Sequence, residues 1–351
     1  MGTRSVAIDI GATVRVADVE LANGADPRDG ATLHSYAQRP VPPGVIRDGV
    51  IEEPAALASV IRQAVSIAKP SSKRVIVGLG HPSVVVREID VPAQNMDKVR
   101  ESLALNAQDQ LPMAPEDAVL DFYPTSEYQA QAGLTLRGLL VASSRELVRE
   151  IVSVLDTAGV RVTGIDHAAL GLWRGGCRGA FMEHTIAFVD VGASRTLLTV
   201  SQMGVPTLIR VLPQSSSDAN RAIANALKGQ TADVEALKRE YGMDLNTSGN
   251  ARTVAEAAAH ALMPLVEAIR NTLVYVSSSN PGSGVDRIVL TGGGAYVRGF
   301  GQALSSATRL PVSIGDPLAS MRIGRKVDRG ALQGREAELA TVIGLAMGGQ
   351  K

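Results

Sequence analysis

The chain has 351 residues, of which 45% are hydrophobic and 20% charged, and its 35 Lys and Arg balance its 35 Asp and Glu. This length and composition fit a globular protein with two domains or lobes. Zero net charge and 3% aromatic residues argue against a nucleic-acid-binding surface, and no apolar run approaches the ~18 residues of a membrane-spanning helix. The lone Cys177 excludes a disulfide framework and favours a cytoplasmic protein. A strand begins almost at the N-terminus, so we expect no signal peptide.

Strands and helices alternate in the first half of the chain. Residues 5–21 predict two strands around a tight turn. Then follow a helix from Glu53 to Lys69, strands from Arg74 to Gly80 and from Ser83 to Val91, a helix from Asp97 to Gln110, strands from Ala118 to Tyr123 and from Leu134 to Ala142, a helix capped by Ser144 and ended by Gly159, a strand from Arg161 to Asp166, and a helix that starts at Ala168.

The second half repeats this alternation from Thr185 onwards. Its predicted helices run from Asp218 to Leu227, Asp233 to Tyr241, Arg252 to Ser278 (bent at Pro264), Gly299 to Thr308 and Glu336 to Met347, with a short strand at Val312. The alternation in both halves indicates an α/β fold.

Two turns, one in each half, share a single pattern. Val6–Thr13 and Ile186–Ser194 are both apolar strands that end in Asp-x-Gly-Ala-Thr or Asp-x-Gly-Ala-Ser. A third strand, Arg287–Thr291, continues into Gly292–Gly294. Two matching hairpins and one glycine-rich turn, in this order, predict two related halves that close on a phosphate-bearing ligand.

The residue types in these turns suit phosphate binding. Gly11 and Gly192 have no Cβ to block the approach of phosphate oxygens to backbone N–H groups, and Thr13 and Ser194 add hydroxyl donors. A carboxylate beside a phosphate is unfavourable unless a cation lies between them. We therefore expect Asp9 and Asp190 to hold Mg²⁺ through its waters.

The third turn, Gly292, Gly293 and Gly294, would let a base, a ribose and an α-phosphate approach the backbone closely. Other chemistries lack their signals: there is no P-loop, no Gly-x-Gly-x-x-Gly after a strand, no nucleophile elbow and no metal-ligand spacing among the five histidines. Cys177 has no adjoining Cys-His motif and is expected to be inert.

In this order the three motifs resemble the actin-like ATPase superfamily, which includes actin, 70-kilodalton chaperones, sugar kinases and FtsA. Within its FtsA-like branch, the chain is most similar to the family of type IV pilus assembly proteins, PilM, over nearly its whole length. The further stretches that carry the resemblance are Asn106–Pro112, Leu120–Phe122, Gly138–Ser143, Glu267–Arg270 with Tyr275, Val297–Phe300, Leu310–Val312, Asp316–Pro317 and Val342–Met347.

The resemblance implies an actin-like ATPase fold, in which two ribonuclease-H-like lobes flank a cleft and the first lobe carries an inserted small α/β subdomain. The expected division is the lobe 1 core at 1–90, the inserted subdomain at 91–160, completion of lobe 1 and a connecting helix at 161–184, the lobe 2 core at 185–212, an upper subdomain at 213–285, and completion of lobe 2 at 286–351.

The resemblance also implies ATP with Mg²⁺ in the cleft. Asp9, Gly11, Ala12 and Thr13 match the first phosphate turn, and Asp190, Gly192, Ala193 and Ser194 match the second. Gly292, Gly293 and Gly294 match the adenosine turn. Glu235 and Lys238 match the adenosine-side helix, the alternative being a solvated helical pair.

Two departures from the family pattern bear on nucleotide binding. The first turn, Gly11–Arg15, is one residue shorter than the usual Gly-Ser-Ser-Ser-Val-Lys, and residues 211–218 replace a usual Gly-Gly. Side chains in that second stretch would crowd the nucleotide. We therefore expect weak ATP binding and, at most, a slow ATPase; no catalytic residue is assigned.

The resemblance implies an adaptor of the type IV pilus assembly machine. It would bind the cytoplasmic N-terminal tail of a PilN-like inner-membrane protein in a groove walled by strands 118–123 and 134–142, and would contact other machine components. Such a protein would be cytoplasmic and peripheral to the inner membrane through its partner, with no nucleic acid, no direct membrane insertion, and self-association left open. The alternatives are an FtsA-like division or filament protein, for which we expect no C-terminal amphipathic anchor, and a sugar-kinase-type phosphotransferase.

Overall fold

The computed structural model describes residues 2–22, 30–47, 49–131, 133–228, 233–279 and 284–348. The elements of the first half are β1 (Thr3–Ile10), β2 (Thr13–Leu21), β3 (Thr32–Pro40), β4 (Ile46–Arg47), β5 (Val50–Ile51), α1 (Pro54–Ala68), β6 (Arg74–Leu79), β7 (Val85–Pro92), α2 (Met96–Asn106), β8 (Ala118–Ala130), β9 (Gly133–Ser144), α3 (Arg145–Thr157), β10 (Arg161–His167) and α4 (Ala168–Gly176).

The elements of the second half follow the same alternation. They are β11 (Thr185–Val191), β12 (Thr196–Gln202), β13 (Val205–Leu212), α5 (Ser217–Ala226), α6 (Val234–Tyr241), α7 (Gly249–Ser279), β14 (Arg287–Thr291), α8 (Phe300–Thr308), β15 (Val312–Ile314), β16 (Arg322–Ile323), α9 (Arg329–Leu332) and α10 (Ala340–Gly348). Pro264 lies inside α7 and does not end it.

The two lobes contain sheets of the same design. The first has the strand order β10-β6-β1-β2-β3-β16, and the second β13-β12-β11-β14-β15. In each, a motif strand pairs antiparallel with the next strand of the chain and parallel with a later one: β1 with β2 and β6, β11 with β12 and β14. The repeated turns thus sit at equivalent ends of equivalent strands, as the repeated sequence pattern predicted.

Each lobe buries its own apolar core. Helix α7 covers one face of the second sheet with side chains at helical spacing, and its Leu262, Leu265, Val266 and Ile269 are almost fully buried. The three-to-four-residue spacing of these apolar residues predicted helix α7 from the sequence. In lobe 1, α1 contributes Leu57, Ile61 and Ala64 to the corresponding core.

A three-stranded antiparallel sheet of order β7-β9-β8, covered by α2, forms a separate subdomain with its own core around Val99, Leu103 and Phe122. Its first strand begins at Val85, before the expected boundary at 91. Helix α3, expected inside the insertion, packs against α1, and its Val154 and Leu155 lie in the same buried cluster as Leu57 and Ile61.

The C-terminal stretch, expected to complete lobe 2, is shared between the lobes. Strand β16 pairs with β3, and α10 packs against β1, β2 and α4. Glycines permit the crossing of α4 and α10: a Cβ on Gly344 would lie 1.8 Å from the carbonyl oxygen of Gly171, and one on Gly175 would lie 2.0 Å from that of Ala340. Helix α4 also packs on β12. These two helices therefore join the lobes.

Candidate functional site

The predicted turns meet at a cleft between the lobes. It encloses about 260 Å³, and twelve of the thirteen predicted binding residues line it: Asp9, Gly11, Ala12, Thr13, Asp190, Gly192, Ala193, Ser194, Glu235, Lys238, Gly292 and Gly293. The thirteenth, Gly294, lies behind the cleft wall, where a Cβ would be 2.3 Å from Cγ1 of Val191. Gly294 thus allows close packing beneath the turn rather than lining the cleft.

The backbone is open at Gly11 and Gly293, whereas a Cβ on Gly192 would lie 2.7 Å from the carbonyl oxygen of Arg195. A Cβ on Gly11 or Gly293 would meet no described atom within 4 Å. Gly292 has a φ of +77°, and a Cβ there would lie 2.7 Å from Oδ1 of Asp190. Glycine is therefore required at 292 both by backbone conformation and by the carboxylate beside it.

The two predicted metal-binding carboxylates face the same space. Burial, followed by the negative charge of Asp9, raises the pKa of Asp190 to about 6. Thr341 Oγ1 donates a hydrogen bond to Asp190 Oδ2 at 3.0 Å. The buried carboxylate of Asp190, beside that of Asp9, would be stabilised by a cation between the two. Among the described residues, no group of three or more His, Cys, Asp and Glu has the arrangement of a metal site made by protein ligands alone.

Helix α6 presents Glu235 and Lys238 to the cleft. Asp233 caps the helix by accepting hydrogen bonds from the N–H groups of Glu235 and Ala236. The side chain of Lys238 is only 4% exposed, and its Nζ lies 2.7 Å from Oε2 of Glu235. Burial would raise the pKa of Glu235, but hydrogen bonds from Lys238 and Asn220 hold it below its ordinary value. Lys238 is thus buried, whereas the Glu235 side chain is 46% exposed, so the pair is only partly solvated.

The stretch that departs from the family's Gly-Gly also reaches the cleft. Ser216 lines it, and the Ser216 N–H donates to the carbonyl oxygen of Gly192 at 2.9 Å. This hydrogen bond links the stretch to the second phosphate turn. The side chain of Ser216 borders a space that the family's two glycines would leave open.

Several cleft residues were missed from the sequence: Arg15, Arg195, Arg239, Arg335, Glu338 and Thr341. Arg15 pairs in register with Asp9 across the first hairpin, so the two-residue period from Thr13 could have indicated it. Glu338 and Thr341 carry no local signal, because chain folding alone brings the C-terminal segment to the cleft.

A second cavity, of about 680 Å³, lies between lobe 1 and the subdomain. It is bordered by β8 and β10, which are both edge strands of their sheets. Its lining includes Met96, Arg100, the stretch 121–124, Val141, the stretch 164–167, Leu170, Arg174 and Gly348. Two ion pairs stand on its rim: Arg100 with Asp121 at 3.2 Å and Arg174 with Asp166 at 2.5 Å. This groove coincides with the predicted partner site at its 118–123 wall and at Val141.

A comparison with known protein families gives a match over nearly the whole chain. A family model described as type IV pilus assembly protein PilM matches residues 7–350. The chain is similar to the solved PilM-PilN type IV pilus biogenesis complex, with 24% identity, a TM-score of 0.83 and coverage of 99% of both chains.

More distant likenesses concern the fold. The ethanolamine utilization protein EutJ from Carboxydothermus hydrogenoformans is 12% identical, with a TM-score of 0.56 and coverage of 98% of this chain and 89% of that one. MreB 5 of Spiroplasma citri bound to AMPPNP is 11% identical, with a TM-score of 0.52 and coverage of 97% and 94%. These likenesses confirm the predicted actin-like fold.

Among curated proteins, the cell division protein FtsA of Bacillus subtilis is 24% identical over 109 residues, which are 31% of this chain and 25% of that protein. FtsA of Streptococcus pneumoniae is 23% identical over 219 residues, 56% of this chain and 48% of that protein. The chain thus spans about a quarter and about half of these relatives. No helix among the described residues is both long and apolar enough to cross a bilayer.

Proposed function

The chain belongs to the family of type IV pilus assembly proteins, PilM, and on this basis we propose that it is an ATP-binding adaptor which holds a membrane partner of the pilus machine. The observation that carries the proposal is the groove between the edge strands β8 and β10. The family model separates this function from the FtsA-like and sugar-kinase alternatives, because it matches residues 7–350.

The groove has the features that an extended peptide requires. Edge strands of a sheet offer backbone N–H and C=O groups that a peptide strand can bond, while side-chain pockets select its sequence. Leu170 and Ile165 supply apolar lining, and Arg100 and Arg174 supply charged groups at the rim. In the solved relative, PilM is in a complex with PilN. We infer that the cytoplasmic N-terminal tail of a PilN-like protein occupies this groove, so that the adaptor works in the cytoplasm beside the inner membrane.

His167 adds a donor near this groove. Its Nδ1 accepts a hydrogen bond from the Ala169 N–H at 3.1 Å, and burial together with the charge of Arg195 lowers the pKa of His167 to about 4. The ring is therefore neutral at pH 7 with its proton on Nε2, which has no hydrogen-bond partner within the described parts of the chain. A small rearrangement on binding would allow this N–H to donate to a peptide carbonyl.

The interlobe cleft supports nucleotide binding. A fold relative is bound to AMPPNP, and in this chain the glycines of both phosphate turns, Gly11 and Gly192, line one cleft. When bound, ATP would lie on both turns, with Mg²⁺ neutralising phosphate charge. Asp9 and Asp190 would hold the metal through its waters, and Thr341 would orient Asp190. We assign no residue to hydrolysis.

We also propose a revised domain division. The subdomain that walls the groove would span residues 85–144, from the first residue of β7 to the last of β9. Helix α3 would belong to lobe 1, and α10 would link the lobes.

The proposal is tested by calorimetry with a synthetic peptide that copies the N-terminal cytoplasmic tail of the same organism's PilN-like protein. Wild type should bind it, and Gly164→Tyr should weaken binding about tenfold or more, because Gly164 lines the groove on β10 and a bulky side chain would block it. Gly284→Tyr is the matched control, since a Cβ there meets no described atom within 4 Å. Absence of binding to wild type would contradict the proposal.

The nucleotide part has its own test. Titration with fluorescent mant-ATP should show Mg²⁺-dependent binding that Asp190→Ala abolishes. The first turn and residues 211–218 led us to expect weak ATP binding, and tight binding would show that this expectation is wrong. Binding unaffected by Asp190→Ala would contradict the assigned site.

A further inference from the structure

A buried carboxylate from near the C-terminus lies inside the cleft between two arginines. Arg335 binds Glu338 with two hydrogen bonds, from Nε to Oε1 at 3.0 Å and from Nη2 to Oε2 at 2.8 Å. Arg15 approaches from the other lobe, and its Nη2 donates to Oε2 at 3.0 Å. The side chain of Glu338 is only 6% exposed. Burial would raise the pKa of Glu338, but the two arginines hold it below its ordinary value, so the group is charged at pH 7.

The segment that carries Glu338 is fastened to lobe 2. The Gly292 N–H donates to the carbonyl oxygen of Ala337 at 3.0 Å, and the Ala337 N–H donates to Oη of Tyr296 at 3.1 Å. Arg15, in contrast, lies on β2 in lobe 1. The bond between Arg15 and Glu338 therefore spans the cleft, from the glycine-rich turn on one side to the strand after the first turn on the other.

Arg15 has a hydrogen-bond donor that a bound anion could use. It lies two residues beyond Thr13 on the same strand, and both residues line the cleft. Its Nη1 is 3.8 Å from Oδ2 of Asp9, and its buried Nε has no hydrogen-bond partner among the residues that the structure describes. A planar guanidinium with a free donor binds phosphate oxygens as readily as carboxylate oxygens.

We propose that Arg15 and Arg335 form an anion site in the cleft, that Glu338 fills this site in the nucleotide-free protein, and that a phosphate group of a nucleoside triphosphate displaces Glu338 from it. This inference rests on the proposed nucleotide binding and concerns its regulation. Glu338 acts as an internal competitor: it holds the lobes together across the cleft and lowers the affinity for nucleotide. Displacement breaks the bond between Glu338 and Arg15 and so removes one contact across the cleft.

Charge supports competition rather than simultaneous occupancy. With Asp9 and Asp190 the cleft already contains two further carboxyl groups. A triphosphate beside a third, charged carboxylate would be repelled, while the arginines that could neutralise it are bound to that carboxylate. Removing the charge of Glu338 removes both the repulsion and the competition.

The test measures MgATP and inorganic pyrophosphate binding by calorimetry. Glu338→Gln keeps the size of the side chain and removes its charge, and it should tighten both affinities about tenfold, because both arginines become available. Glu336→Gln is the matched control: this neighbour accepts a hydrogen bond from the exposed Gly334 N–H, which glutamine retains, so affinity should change less than twofold. Unchanged or weaker binding by Glu338→Gln would overturn the proposal.

A second variant guards against loss of folding. Glu338→Asp retains the charge but is too short to bond both arginines across the cleft, so it should give an intermediate gain. Small-angle scattering of the nucleotide-free variants should show a larger radius of gyration than wild type, which is a readout of lobe separation. An unchanged radius together with unchanged affinity would show that Glu338 neither holds the lobes together nor competes with nucleotide.

The two proposals can fail separately. If wild type and all variants bind neither MgATP nor pyrophosphate, the anion site and the nucleotide part are both wrong. Binding of the PilN-like tail peptide in the groove would still support the adaptor function. If nucleotide binds wild type and Glu338→Gln equally, nucleotide binding stands and the competition is wrong.

Discussion

Arg195 Nη2 donates a hydrogen bond to the carbonyl oxygen of Ile10 at 3.1 Å. This contact joins the second phosphate turn, in lobe 2, to the strand end before the first phosphate turn, in lobe 1. The guanidinium also covers Gly80, where a Cβ would lie 2.9 Å from Arg195 Nε. One side chain that lines the cleft thus helps to fix the position of the two turns relative to each other.

Arg195→Ala should weaken the contact between the two turns. The loss of one partly buried hydrogen bond from a charged donor should lower the free energy of unfolding by about 1–3 kcal/mol. Urea unfolding measures the loss, and hydrogen exchange should rise at the ends of β1 and β6. Arg195→Lys, which retains a charge and a donor, should lose less. Equal stability of wild type and the alanine variant would contradict the contact.

The glycine crossing between α4 and α10 should not tolerate a methyl group. Gly344→Ala would place a Cβ 1.8 Å from a carbonyl oxygen of α4, so the helices must separate, at a cost of about 3 kcal/mol or more. The matched control is Gly301→Ala in α8, where a Cβ would make ordinary contacts at 3.7 and 3.8 Å. That change should stabilise the protein by about 0.5–1 kcal/mol, because alanine favours helices. Thermal unfolding of both variants checks the contrast.

Asp190 predicts a pH dependence of stability. Its pKa in the folded protein is about 6, above the ordinary value of 3.8, so the folded state binds the proton more tightly than the unfolded state. This contribution to stability is complete below pH 4 and is lost as pH rises through 6. The loss amounts to about 2–3 kcal/mol at ~1.4 kcal/mol per pKa unit.

Asp190→Asn removes this dependence. It should match wild type below pH 4 and exceed its stability by about 2–3 kcal/mol above pH 6. Urea unfolding across this pH range measures the difference. A difference that is constant with pH would show that packing, and not the proton, accounts for the change.

His167 predicts a dependence of opposite sign. Its pKa is lowered from 6.5 to about 4 in the folded protein, so the folded state disfavours the charged ring. The corresponding stability is present above pH 6.5 and is lost as pH falls through 4. Nitrogen NMR of labelled histidine should show a neutral ring at pH 5, with the proton on Nε2. If the His167 ring instead titrates near pH 6.5, burial does not lower its pKa, and the prediction is wrong.

Local sequence was sufficient for the strands and turns that form the cleft. Asp9 and Gly11, like Asp190 and Gly192, stand at the end of an apolar strand that pairs with the next strand of the chain through a tight turn. The repeated Asp-x-Gly pattern therefore predicted both the hairpins of the fold and the residues of the cleft.

Long-range contacts decided what the sequence could not predict. Glu338 meets Arg15 across 323 residues, and no local pattern indicates such a pair. The closing helix was predicted from Glu336, but the segment Glu336–Leu339 is a 3-10 helix before α10. Its Ala337 carbonyl accepts from Gly292 rather than from a residue one turn ahead, which accounts for the different geometry.

Helix α10 runs from one site to the other. At its beginning Thr341 bonds the cleft carboxylate Asp190, and at its end Gly348 lines the groove. Arg174, on the groove rim, donates to the Gly344 carbonyl at 3.0 Å. A helix of nine residues is about 13 Å long and stiff along its axis. Any displacement of its first turn along the helix axis would therefore reach the groove as a translation of the whole helix, without an intervening loop to absorb it.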